Sequence, residues 1–290
     1  MIAYRYVLLC LFIATLCLSL LRCGEAPQLS VIDTALIKHR DALHLTKEFT
    51  AEIQRPFVVI SDMDPATERK RALHLVRWAA DLLEKDYFSA PPEAIYDLWL
   101  LKDAASYNST VTKMTGEAPT TIYGFCSDST KTIYLNYATG GGTLIHEITH
   151  AYMHGNFPAC PAWFNEGLAS LFEAVKEHDG HLYGLPNWRL NGLQQALKAG
   201  TAPSFASIMA MTPGRFYGDG RDVNYGVARY LCYQLQERHL LIPYFRAFVA
   251  NQKNDPEGIA SLRQVLNVSD LTAFRAEWET AMIALKLPER

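Results

Sequence analysis

The chain is 290 residues long, 49% hydrophobic and 20% charged, with a formal net charge of −3. Those proportions are ordinary for a globular protein and exclude a repeat or low-complexity architecture. A slightly acidic balance without a basic stripe gives no reason to expect nucleic acid as a partner.

Arg5 precedes an apolar run from Val7 to Leu21, and polar, turn-prone sequence begins at Arg22. The run is short for a membrane span and has the layout of a secretory signal peptide or N-terminal anchor, placed at residues 1–26. Cys23 follows Leu20-Leu21-Arg22, which resembles a bacterial lipoprotein site apart from the arginine. The expected location is therefore secreted or extracytoplasmic, at the periplasm or cell envelope, with lipid anchoring at Cys23 as one means of attachment. No other stretch is long and apolar enough to cross a bilayer, so membrane contact is expected only through that leader.

Beyond the leader, hydrophobic patterning predicts a strand at Phe57–Ser61, an amphipathic helix from Pro65 to Phe88, a strand at Ile95–Leu101 and a helix from Asp103 to Met114. Thr121–Cys126 and Lys131–Tyr137 read as two further strands around the turn-rich Ser127-Asp128-Ser129-Thr130. These strands build a small mixed sheet. From Pro186 onward the pattern is helical: Trp188–Ala199, Tyr225–Arg238, Pro243–Asn251, Gly258–Leu266 and Leu271–Leu285. The expected fold class is α+β, with a sheet-bearing unit at residues 27–185, a helical subdomain at 186–290, and the functional cleft between them. The glycine-bearing loop Thr212–Asp222 is a candidate cover for that cleft.

Within the unit at 27–185 lies His146-Glu147-Ile148-Thr149-His150, which reads H-E-x-x-H. Histidines four apart lie about 40° apart around a helix and about 6 Å along it, so both imidazoles can converge on one cation. Glu147 can then reach a water on that cation. Imidazole suits zinc, and a catalytic zinc takes three protein ligands and keeps a fourth position open. Gly140-Gly141-Gly142 breaks any preceding strand, and Thr143 is the expected N-cap of a helix running to His154. Leu144, Ile145, Ile148, Ala151 and Tyr152 form its apolar positions.

A second helix is expected to open after Pro161, with Glu166 near its start among Trp163, Phe164 and Leu168. An acid in a first helical turn is favoured by the dipole alone. Burying one among such neighbours is costly unless it is paired or bound to a metal, which makes Glu166 the candidate third ligand.

H-E-I-T-H followed by W-F-N-E-G-L-A-S resembles the gluzincins, the thermolysin-like metallopeptidase clan. It is especially similar to zinc aminopeptidases and to bacterial gluzincin-like peptidases of the collagenase kind. The motif-bearing match covers about Thr121 to Glu173 and extends more weakly to about Leu235. The resemblance implies a zincin-like sheet, one Zn2+ ion held by His146, His150 and Glu166, Glu147 as general base, and a peptide or protein substrate. The spacing to Glu166 is shorter than in the aminopeptidases, and there is no G-x-M-E-N segment to capture a free amino terminus. Those departures favour an endopeptidase. Such enzymes often set a tyrosine or histidine against the developing oxyanion; Tyr225 is the candidate here, with Tyr230 and Tyr217 as competitors and core packing as the ordinary alternative. Arg229, four residues on, could orient that tyrosine, bind a substrate carbonyl, or stand in solvent. In related peptidases the strand before the metal helix forms a cleft wall, and Ile133-Tyr134-Leu135-Asn136 is the candidate edge for an extended substrate.

Asn156 and Met153 stand where metzincins carry histidine and glycine, which excludes that class. Asp222-Val223-Asn224-Tyr225-Gly226 matches half of the aspzincin pattern, and Asp222 is kept as the alternative third ligand. Ser170, Glu173 and Asn165 are candidates to hold the outer histidine nitrogens. His154 is expected beside the site rather than on the metal. Cys126 and Cys160 flank the cleft elements, and a disulfide between them would staple its walls in an oxidising compartment. The leading expectation is a secreted zinc endopeptidase. The alternatives are an inactive zinc-bound module that binds peptide or cell-wall material, against which Glu147 argues, and hydrolysis of another bond such as a cell-wall amide.

Overall fold

Phe57-Val58-Val59-Ile60-Ser61 is buried at every residue because its sheet is covered on both faces. A computed structural model describes residues 30–64 and 66–288. Helix α1 (Val31–Asp41) leads into strands β1 (Thr50–Gln54) and β2 (Phe57–Ser61), and α2 (Ala66–Asp86) connects β2 to β3 (Tyr96–Leu101). Helix α3 (Ala104–Thr115) then leads to the hairpin β4 (Gly124–Ser127) and β5 (Thr132–Asn136). The strand order is β1-β2-β3-β5-β4, with β2, β3 and β5 parallel and the two outer strands antiparallel to their neighbours.

Alternation divides the sheet's side chains between two cores. Phe57, Val59, Leu98, Leu100, Ile133 and Leu135 enter the main core with α2 and the later helices. Val58, Ile60, Trp99, Leu101 and Tyr134 enter a smaller one under Leu36 of α1 and Tyr107 and Val111 of α3.

The rest of the chain is α4 (Gly141–Asn156), α5 (Ala162–Leu171), a hairpin of β6 (Val175–His178) and β7 (His181–Gly184), and helices α6 (Arg189–Lys198), α7 (Phe205–Met209), α8 (Pro213–Phe216), α9 (Arg221–Glu237), α10 (Leu241–Asn251), α11 (Ile259–Leu266) and α12 (Thr272–Ala284). The main core runs without a break from Phe57 on the sheet through Trp163 and Phe164 of α5 to Tyr244, Phe248 and Trp278. The fold class is α+β, a mixed sheet with many helices.

Several expected details shift. Strand β5 lies between β3 and β4, so Ile133–Asn136 is an interior segment and β4 is the sheet edge beside α4. Its five residues are all buried, which is the mark of a strand paired on both sides. Strand β4 starts at Gly124 rather than Thr121. Helix α4 starts at Gly141 with Gly140 as N-cap at φ 103°, so Thr143 is already inside it. Helix α9 begins at Arg221, which puts Tyr225 in its second turn. Strand β1 and the β6–β7 hairpin had no counterpart among the expected elements; both carry mostly polar, partly exposed sequence. The leader lies outside the described residues, as does Pro65. Among the described residues no helix is long and apolar enough to cross a membrane.

Two close approaches lock the site helices in place. A Cβ at Gly167 would lie 2.9 Å from the Ala228 carbonyl oxygen, so glycine lets α5 press against α9. A Cβ at Gly142 would lie 1.9 Å from the Glu173 carbonyl oxygen, where neither backbone can yield cheaply. Gly142→Ala is therefore expected to destabilise the protein by about 3 kcal/mol in urea denaturation, the upper range for overpacking. A loss below about 0.5 kcal/mol, the scale of an ordinary surface substitution, would contradict this packing.

Candidate metal centre

Helix α4 buries Leu144, Ile145, Ile148, Ala151 and Tyr152 in the core, and this fixes its rotation. His146, Glu147, His150 and His154 consequently line a cleft of about 930 Å³. Helix α5 is anchored by Trp163 and Phe164, and the Trp163 indole donates to the Glu257 carbonyl at 3.0 Å. That anchoring turns Glu166 to the same cleft.

The three candidate ligands meet. One ligand atom from each of His146, His150 and Glu166 lies within 4.8 Å of the others. The two Nε2 atoms are 3.1 Å apart, and Glu166 Oε2 lies 3.4 Å from His146 Nε2 and 3.6 Å from His150 Nε2. A tetrahedral ion with bonds of about 2.0 Å needs ligand separations of about 3.3 Å, so this triangle fits a small divalent cation. Glu166 Oε2 is buried without a hydrogen-bond partner, an expensive state that a cation would relieve. These residues form a group able to hold a metal ion.

Asn165 Oδ1 lies 2.9 Å from His150 Nδ1, whereas His146 Nδ1 is buried without a hydrogen-bond partner, with Glu173 Oε1 3.5 Å away. Tyr217 donates its hydroxyl to Glu166 Oε1 at 2.8 Å, which leaves Oε2 for the ion. Of the residues proposed to hold the histidines, Asn165 is at hydrogen-bond distance and Glu173 is beside His146 without a hydrogen bond to it, whereas Ser170 donates to the Gly167 carbonyl within its own helix.

Burial would raise the Glu166 carboxyl, but His150 and His146 hold it well below its ordinary value. Burial would lower His150, but Glu166, Glu147 and Asn165 together outweigh it, so the imidazole is raised. Each partner favours the other's charged form, an arrangement in which a cation can replace the proton. Burial raises the Glu147 carboxyl above its ordinary value, against the lowering pull of His146 and His150.

Glu173 had been a candidate orienter, but its own clamp had no sequence signal. Arg189 donates to it through Nε at 2.8 Å and Nη2 at 2.7 Å, and Asn187 Nδ2 donates at 3.0 Å. Burial would raise this carboxyl, and Arg189 holds it below its usual value. The Arg189 guanidinium also stacks 4.7 Å from the Tyr225 ring centroid. Only the fold brings the start of α6 back over the end of α5. Arg189→Met would leave a buried carboxylate without its charge partner, and a loss of about 3 kcal/mol is expected in urea denaturation. Unchanged stability would mean that Glu173 does not depend on this pair.

The remaining candidates divide. Tyr225 and Tyr217 both line the cleft. Burial, then the Glu166 carboxylate, raises both phenols, so they stay protonated and able to donate. Tyr230 is buried away from the cleft, where its hydroxyl accepts from the Asn187 amide and donates to the Asn187 carbonyl. Arg229 is neither in solvent nor at a substrate: it is fully buried and donates to the Leu185 carbonyl. Asp222 has a side chain 92% exposed and stands outside the ligand group. His154 sits against Asp128, which also accepts from the Tyr96 hydroxyl. Cys126 and Cys160 are free thiols, so the expected staple is absent. The segment Thr212–Asp222 contains α8 and brings Tyr217 to the cleft.

No family model matches the chain, and no curated protein matches it closely enough to count as a relative.

Proposed function

We propose that the chain is a zinc-dependent endopeptidase, with His146, His150 and Glu166 as metal ligands and Glu147 as general base. The observation that carries this reading is the closed triangle of two imidazoles and one carboxylate, with an unpartnered Glu166 Oε2, beside Glu147 in an open cleft. Two imidazoles and a carboxylate suit zinc, and three protein ligands leave one position free. The H-E-x-x-H and W-F-N-E-G segments, which resemble those of gluzincins, support the same choice. Glu147 is the residue that a purely structural site would not need.

A zinc ion bound there would lower the pKa of a water to about 7 and polarise the scissile carbonyl. Glu147 takes the proton of the attacking water and passes it to the leaving amine nitrogen. Burial of its carboxyl disfavours the charged form, which suits a group that takes up a proton. Tyr217 donates to Glu166 Oε1, and Tyr225, whose phenol also lies against the Glu166 carboxylate, is the candidate donor to the oxyanion. Thr120 to Cys126 line the cleft at the sheet edge, where an extended peptide can add as a strand. The apolar leader with Arg5 ahead of it supports action outside the cytoplasm, at the envelope or beyond.

Zinc content and cleavage of peptides blocked at both ends test the reading. One zinc per chain with internal cleavage is expected. A zinc-loaded chain that leaves a diverse peptide library intact would overturn the enzyme and leave a binding module.

A further inference from the structure

Three histidines spaced one turn apart on α4 line the cleft: His146, His150 and His154. The first two belong to the group that can hold a metal ion, and His154 stands outside it. One turn advances about 6 Å, which is about two residues of extended chain, so His154 lies two or three substrate residues beyond the ion. Strand β4, the sheet edge of the cleft, ends at Ser127, and Asp128 next to it reaches His154.

The surroundings of His154 decide which ring nitrogen carries its proton. Asp128 Oδ1 lies 3.4 Å and the Tyr96 hydroxyl oxygen 3.5 Å from His154 Nδ1. The one hydroxyl proton of Tyr96 goes to Asp128 Oδ1 at 2.6 Å, and Lys131 donates to the same oxygen. Both groups facing Nδ1 are therefore acceptors, which puts the ring proton on Nδ1 and the lone pair on Nε2. Burial lowers the pKa of this imidazole, against the raising pull of Asp128, so the ring is neutral at neutral pH. The side chain is 30% exposed, and Nε2 has no partner among the described residues. Asp128 is paired with Lys131, so this end of the cleft suits a neutral donor better than a cation.

We propose that His154 reads the substrate: its Nε2 accepts a hydrogen bond from an uncharged N–H or O–H donor side chain, two or three residues from the scissile bond toward the Asp128 end of β4. The substrate class is polypeptide with an amide or hydroxyl side chain at that position, and the inference rests on the peptidase reading above. Tyr96 and Asp128 act through His154, by fixing its tautomer.

Nitrogen NMR of the imidazoles separates a protonated ring nitrogen from a bare one. In the zinc-loaded full chain His154 is expected to carry its proton on Nδ1, and a proton on Nε2 instead overturns the assignment. In Asp128→Asn, Tyr96 and Lys131 occupy the amide oxygen, so the amide N–H turns to Nδ1 and the ring proton is expected on Nε2. The same proteins and His154→Leu are assayed on end-blocked peptides that differ only by Gln or Met, Asn or Leu, and Thr or Val at each position near the cut. These pairs match in shape and differ in the donor. The unmodified protein is expected to favour the donor in at least one pair by about five-fold or more, the scale of one neutral hydrogen bond, at a position two or three residues from the cut. That ratio is expected to fall to one or below in His154→Leu and in Asp128→Asn. Equal rates within every pair, or a ratio unchanged in His154→Leu, overturn the role of His154 and leave the peptidase reading intact. If the unmodified protein cleaves nothing, the peptidase reading falls, and His154 is tested by binding of the same peptides to zinc-loaded Glu147→Gln. Tighter binding of a donor peptide, lost in Glu147→Gln/His154→Leu, supports the proposal; equal affinities overturn it.

Discussion

Glu147→Gln is expected to bind zinc as well as the unmodified protein does and to lose turnover by about 10³-fold, within the range that a positioned acid–base contributes. The substitution keeps side-chain volume in a buried position, so packing on α4 is preserved. It removes the basic carboxylate that accepts the proton of the attacking water. Glu147 lies outside the group of atoms that can meet at the ion, and this is why metal content should not follow activity. Residual turnover above about a tenth of the original would show that another group does the proton transfer. Loss of zinc together with turnover would show that Glu147 supports the ligands rather than the chemistry. Metal analysis and peptide kinetics on one preparation separate these outcomes.

The candidate ligands were legible because local spacing determines their geometry. H-E-x-x-H puts two imidazoles on one helical face whatever the rest of the chain does, and the apolar positions of α4 say which face meets the core. Glu166 was legible less directly, through the cost of burying an acid beside Trp163 and Phe164. The sheet order was not legible. Sequence marks β4 and β5 as strands but does not say which of them pairs with β3, and this is why the edge was first placed on Ile133–Asn136. Arg189, Trp188 and Gly192 reach the cleft only because the β6–β7 hairpin returns the chain to it, and no local pattern encodes that return. Arg229 shows the opposite failure. Its position one turn after Tyr225 suggested a shared role at the site, yet it is completely buried and donates to the Leu185 carbonyl.

The choice between Glu166 and Asp222 as third ligand has a thermodynamic answer. An ion that binds only the folded protein stabilises it by about 4 kcal/mol at a thousand times its dissociation constant. In a chain of this size that corresponds to a rise of roughly 10 °C in melting temperature. The unmodified protein should show this rise with zinc and lose it with a chelator. Glu166→Ala removes the one carboxylate oxygen that completes the triangle and strands the Tyr217 hydroxyl as well. Its zinc affinity should fall by more than about 100-fold, beyond the loss expected when only an outer partner is removed, and the thermal rise should vanish. Tyr217→Phe, which removes only the hydrogen bond to Glu166 Oε1, should cost about ten-fold in affinity and keep most of the rise. Asp222→Ala should change neither quantity, because its carboxylate stands in solvent. The reverse pattern, zinc kept by Glu166→Ala and lost by Asp222→Ala, would require α9 to turn its first residues onto the histidines, and the site assigned here would be wrong.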